Sequence, residues 1–117
     1  MKRQIITIEN GHVTVPDSVG MSIAEIADLL GIYYQTAKRH IRSIEKSGIV
    51  GGNYSMNCTV EGQEVYPDYY GLEMIITVAF RVQSAKAKMF RRYIIRKIVR
   101  YDVTETLILS LQNPMLN

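Results

Sequence analysis

The sequence predicts an α+β fold, a winged helix-turn-helix with an N-terminal β-hairpin and a long basic C-terminal helix, on three observations. Residues 21–47, MSIAEIADLLGIYYQTAKRHIRSIEKS, read as two short helices joined by a tight turn at Gly31. Pairs of short β-compatible runs flank Asn10-Gly11 before those helices and Glu61-Gly62 after them. Residues 85–101 contain neither Gly nor Pro and are rich in cations. At 117 residues and 47% hydrophobic content the chain suits one domain, 1–117, with a modest core.

In chain order, Ile5–Ile8 and Val13–Val15 flank Asn10-Gly11, whose residues tolerate the positive φ of a type I′ turn, so 4–15 is predicted as a β-hairpin that Pro16-Asp17 ends. The helix pair is assigned to 22–47. Ser22 and Glu25, three apart, form a capping box, which starts the first helix at Ile23. Ile23, Ile26, Ala27 and Leu30 then make one apolar stripe, with Glu25 and Asp28 facing outward. Gly31 follows where the chain must leave the helix through a left-handed conformation.

The second helix, 33–47, separates two kinds of chemistry. With Tyr34 as the origin, Lys38, Arg42, Gln35 and Arg39 fall at about 40°, 80°, 100° and 140°, whereas Ala37, Ile41 and Ile44 cluster near 280–340°. Gln can bond adenine and Arg can bond guanine in a major groove wide enough for one helix. Tyr34, Gln35, Lys38, Arg39 and Arg42 are therefore the candidate base-reading set. The competing reading is an ordinary αα-hairpin whose polar face is solvated. Thr36 and Ala37 read as first-turn or packing residues, and His40 lies beside the core face.

Gly48 and Gly51-Gly52 break structure, and 53–66 is predicted as a second hairpin, the wing. Glu61 and Glu64 near its tip would repel phosphate, so a structural role competes with a backbone grip. Cys58 within it reads as a small buried apolar residue, with no neighbour to activate the thiol. Residues 70–82 are almost wholly apolar, and their periodicity fits a buried strand or a buried helix. Tyr66, Tyr69 and Tyr70 read as core or interface anchors. Ser84 is a candidate N-cap for a helix over 85–101. On it Lys88, Arg92, Arg96 and Arg100 form an i, i+4 ladder opposite Ala87, Phe90, Ile94 and Ile98. Its three like-charge steps cost about 1 kcal/mol, which an anionic partner would remove. The tail, 103–117, fits a strand or a short helix equally.

Two resemblances attach to these residues. Leu30-Gly31-Ile32-Tyr33-Tyr34-Gln35-Thr36-Ala37-Lys38-Arg39-His40-Ile41 is similar to the helix-turn-helix of the lac repressor family, with Tyr34, Gln35 and Arg39 at that family's base-contacting positions. It departs at Tyr33, where the family usually has a capping Ser. Over roughly residues 21–100, the helix pair, the hairpin and the run Tyr69–Ser84 through Phe90-Arg91 resemble the N-terminal half of the RhuM-type virulence-protein family. That family's pattern is closer to G-Y-R-V-N-S followed by F-R-x-W, so Ala79, Phe80, Gln83 and Tyr93 depart from it. The resemblance implies a helix over 70–82 and DNA binding in a bacterial mobile or accessory region.

Charge is segregated rather than large. Net charge is +3, yet residues 81–100 hold eight cations and no acid, leaving −5 for the rest. Lys88, Arg92 and Arg96 are the candidate phosphate contacts, and a solvated or subunit-paired face is the competing reading. One cysteine excludes an internal disulfide and two distant histidines supply no metal spacing, so no metal or cofactor is expected. No phosphate loop, H-E-x-x-H or G-x-S-x-G occurs, so no catalytic residues and no small-molecule ligand are predicted. No segment reads as a signal peptide or membrane span, and a cytoplasmic location is expected. The expected partner is double-stranded DNA, bound by a homodimer on a palindromic site. The rival is a winged-helix protein-interaction module, an adaptor or toxin-neutralising partner.

Overall fold

A computed structural model describes the backbone of residues 4–54 and 56–112, and side chains among these as far as Arg100. The fold is α+β, with four helices and two small antiparallel sheets. Strands β1 (Thr7–Glu9) and β2 (His12–Thr14) pair Thr7 with Thr14 and Ile8 with Val13. Asn10 at φ 51° and Gly11 at φ 78° make the left-handed turn that their sequence called for.

Helix α1 (Ile23–Leu30) starts on the predicted capping box: the Ser22 hydroxyl accepts from the Glu25 amide at 3.2 Å, and the Glu25 carboxylate accepts from the Ser22 amide at 2.9 Å. Gly31, at φ 63°, turns the chain. Helix α2 (Tyr34–Ser47) follows, and Tyr33 supplies no side-chain cap. Its buried residues are Ala37, Ile41 and Ile44, the face read from the sequence.

Strands β3 (Cys58–Glu61) and β4 (Glu64–Pro67) pair Cys58 with Pro67 and Val60 with Val65 around Gly62 at φ 65°. The strands begin at Cys58 rather than near Asn53, because the stretch before them is spent on crossing over Tyr70. A Cβ on Gly52 would stand 2.3 Å from Pro67 Cγ and 2.8 Å from Tyr70 Cε1. Reciprocal backbone bonds between Met21 and Tyr70, at 3.0 and 2.8 Å, then tie the start of α1 to the end of this hairpin. Cys58 is exposed, which corrects the expectation of a buried residue: its hairpin is solvated on both faces as far as Val65.

Helix α3 (Leu72–Ala79) is shorter than the expected 70–82, and it buries Met74, Ile75, Val78 and Ala79. Its β-branched residues are tolerated because packing outweighs their small helical penalty. Helix α4 (Ala85–Gln112) starts at Ser84, whose hydroxyl accepts from the Ala87 amide at 3.0 Å and donates to the Leu30 carbonyl at the end of α1. The expected end at residue 101 is corrected, since α4 runs on through 103–112 as helix, not strand. No Gly or Pro interrupts that stretch. The last part of the tail, 113–117, lies outside the described residues.

Ile26, Leu30, Ile41, Ile44, Tyr70, Met74, Ile75, Val78, Ala87 and Phe90 form the centre of the core. Helices α1 and α3 each pack on both α2 and α4. Thus α2 and α4 lie diagonally across a ring of four helices.

Candidate functional site

The exposed face of α2 is the candidate site. With Ala37 as the origin, Gln35, Lys46 and Arg39 stand at about 160°, 180° and 200°, directly opposite the buried Ile41 and Ile44. All three are exposed and have no hydrogen bond or ion pair among the described residues. Tyr33 at 85% and Tyr34 at 46% exposure flank them at the helix start. Lys46 was not in the sequence-derived set, although its spacing of seven from Arg39 was legible there.

The other two predicted base readers are engaged elsewhere. Lys38 Nζ meets Glu61 Oε1 at 3.1 Å, so the β3–β4 hairpin tip sits on one flank of α2. Arg42 is turned toward the same hairpin. Its guanidinium stacks on Tyr66 at 3.6 Å from the ring centre, donates to Tyr70 Oη at 2.7 Å and to Glu45 at 3.2 Å, and lies 3.8 Å from Glu61. The Tyr70 hydroxyl in turn donates to Glu45 at 3.0 Å, as does that of Tyr54 at 3.1 Å. Arg42 thus does not stand on the open face with Gln35 and Arg39, and its described contacts tie the hairpin to α2. Glu45, three residues on, was legible as a partner, but the Tyr66 ring and the Glu61 carboxylate come from a hairpin that no linear pattern places nearby.

Electrostatics follow this geometry. Burial, then the neighbouring Glu45 carboxylate, pushes the Tyr70 phenol well above its ordinary pKa, so it stays a hydrogen-bond donor. Partial burial and then the charges of Arg39 and Arg81 lower the pKa of His40, which favours the neutral ring. A cleft of about 360 Å³ opens between the start of α1, Tyr34 and the hairpin residues Thr59, Glu61 and Tyr66. Among the described residues no group of three or more His, Cys, Asp or Glu is placed to hold a metal, and no helix is long and apolar enough to cross a membrane.

The second basic surface is separate from the first. Lys88, Arg92, Arg96 and Arg100 are exposed on the side of α4 opposite the buried Ala87 and Phe90. None has an ion-pair partner among the described residues, and the hairpin acid Glu61 pairs with Lys38 of α2 while Asp68 accepts from Thr59. The ladder lies on α4, which packs on α1 and α3, whereas Gln35 and Arg39 lie on α2. The sequence could place both sets on helix surfaces but not orient one helix against the other. No family model, no curated protein and no solved structure matches this chain.

Proposed function

We propose that the protein is a winged helix-turn-helix that binds duplex DNA sequence-specifically, with α2 as the recognition helix and β3–β4 as the wing. The reading makes it a small transcriptional regulator or an accessory factor of a bacterial mobile element, acting in the cytoplasm as a homodimer. One observation carries it: Gln35 and Arg39 stand opposite the core, exposed and without a hydrogen bond or ion pair among the described residues, one turn apart on a helix that packs on α1 and α3. A Gln and an Arg so placed can each bond a base edge bidentately. Tyr34 flanks them, and Lys46 extends the cationic edge toward the end of α2.

In this reading the base-contacting set is Tyr34, Gln35 and Arg39, with Lys38 available to phosphate once it leaves Glu61. Arg42 is a positioning residue. The ladder Lys88, Arg92 and Arg96 lies on α4, which packs on α1 and α3, and in this reading it supplies phosphate contacts apart from the recognition helix. The hairpin acid that occupies Lys38 favours one other reading, docking of a protein partner on this face.

Fluorescence anisotropy of duplexes selected by the purified protein tests the proposal. Affinity should fall with salt at a slope of about −0.9 per phosphate neutralised. Arg39→Ala should cost about 1–3 kcal/mol and relax base preference at one position. Arg42→Ala should instead lower thermal stability and keep the ranking of sequences. Salt-insensitive binding, or an Arg39→Ala variant with unchanged preference, would favour the protein-docking reading.

A further inference from the structure

The face of α4 that packs on the core at Ala87 and Phe90 is open by Ile95–Arg100. Along one i, i+4 row, Phe90 is fully buried and Ile94 packs on the core, but Ile98 is 56% exposed. Along the adjacent row, Arg91 donates to the Ala79 and Val82 carbonyls at 2.7 and 2.8 Å, while Ile95 and Val99 beyond it are exposed. From Ile95 to Arg100 every side chain is exposed, yet the helix continues to Gln112.

Ile95, Ile98 and Val99 leave an apolar row of this helix in water, whereas helices in proteins draw most of their stability from packing such a face. The apolar row therefore needs a covering surface. Charge identifies which. Residues 95–100 carry Arg96, Lys97 and Arg100 and no acid, whereas 101–112 carry Asp102 and Glu105 and no cation. Two parallel copies would oppose like charges, and two antiparallel copies set the cationic stretch of each beside the acidic stretch of the other.

We propose that α4 is the seam of an antiparallel homodimer, with Ile95, Ile98 and Val99 of each copy packed against the α4 of the other. The seam rests on the DNA-binding reading only for its purpose, which is to present two recognition helices to a palindrome. It is tested without DNA, so a monomer that still binds duplex would remove the seam and leave that reading standing.

Sedimentation equilibrium of the full chain across a concentration series is the measurement. A seam this narrow lies below the standard interface of about 800 Å² per partner, so a monomer–dimer equilibrium with Kd on the order of micromolar is expected. Ile98→Glu, at a position already exposed in the single chain, should keep the circular dichroism of the folded protein and weaken association by about tenfold or more. Raising NaCl from about 50 to about 500 mM should also weaken it, because screening removes the opposite-charge pairing. A monomer at about 100 times that Kd, a dimer indifferent to Ile98→Glu, or association that strengthens with salt would each overturn the proposal.

Discussion

Glu61→Gln tests the charged contact between the hairpin tip and the flank of the proposed reading face. The carboxylate lies 3.1 Å from Lys38 Nζ and 3.8 Å from Arg42 Nη2, with the pair's side chains 28% and 44% exposed for Lys38 and Glu61. A pair this solvated contributes at most about 1 kcal/mol to stability, and Gln keeps the hydrogen-bond acceptor, so the variant should melt close to the native protein. Its effect on a polyanion is larger. A phosphate about 7 Å from the removed charge no longer meets a repulsion of about 0.6 kcal/mol even at a water-like dielectric, which alone tightens binding about threefold. Lys38, released, adds one phosphate contact and steepens the log–log salt slope by about 0.9. Anisotropy titrations of native and Glu61→Gln protein on one duplex over a NaCl series measure both. Weaker binding by the variant, or an unchanged slope, would refute the reasoning that Glu61 competes with phosphate for Lys38.

Two further outcomes probe the fold that holds this face. Gly52→Ala places a Cβ against the Pro67 and Tyr70 rings, neither of which can swing away, and should cost about 1–3 kcal/mol in urea unfolding; a variant as stable as the native chain would mean that the crossing is looser than described. The raised pKa of Tyr70 makes stability depend on alkaline pH: the contribution is fully present below the unfolded tyrosine value of about 10 and is lost as pH rises through the folded value. Thermal melts from pH 8 upward should therefore show a decline that Tyr70→Phe reduces, and equal declines in the two proteins would contradict it.

Local order along the chain was written in local chemistry. Asn10-Gly11 specified a left-handed turn, Ser22 and Glu25 capped each other's amides, Gly31 allowed the helix exit, and the 3.6-residue repeat chose the faces of α1 and α2. These signals lie within a few residues of one another, so no long-range information is needed to read them. The apolar run 70–82 was ambiguous because full burial erases periodicity, and the end of α4 was missed because no stop signal precedes Pro114.

By itself, then, the sequence determined which residues turn, cap and point inward, since each of those choices depends on backbone sterics and a short repeat. Only the tertiary structure decided what remains free to bind. Arg42 and Lys38 shared a helix face with Gln35 and Arg39 in sequence, but Glu61, Tyr66 and Tyr70 arrive from 19 or more residues away and take the first two out of that set. Likewise only the tertiary structure showed that α2 and α4 each pack on α1 and α3, because helix-to-helix placement is set by core packing and not by charge.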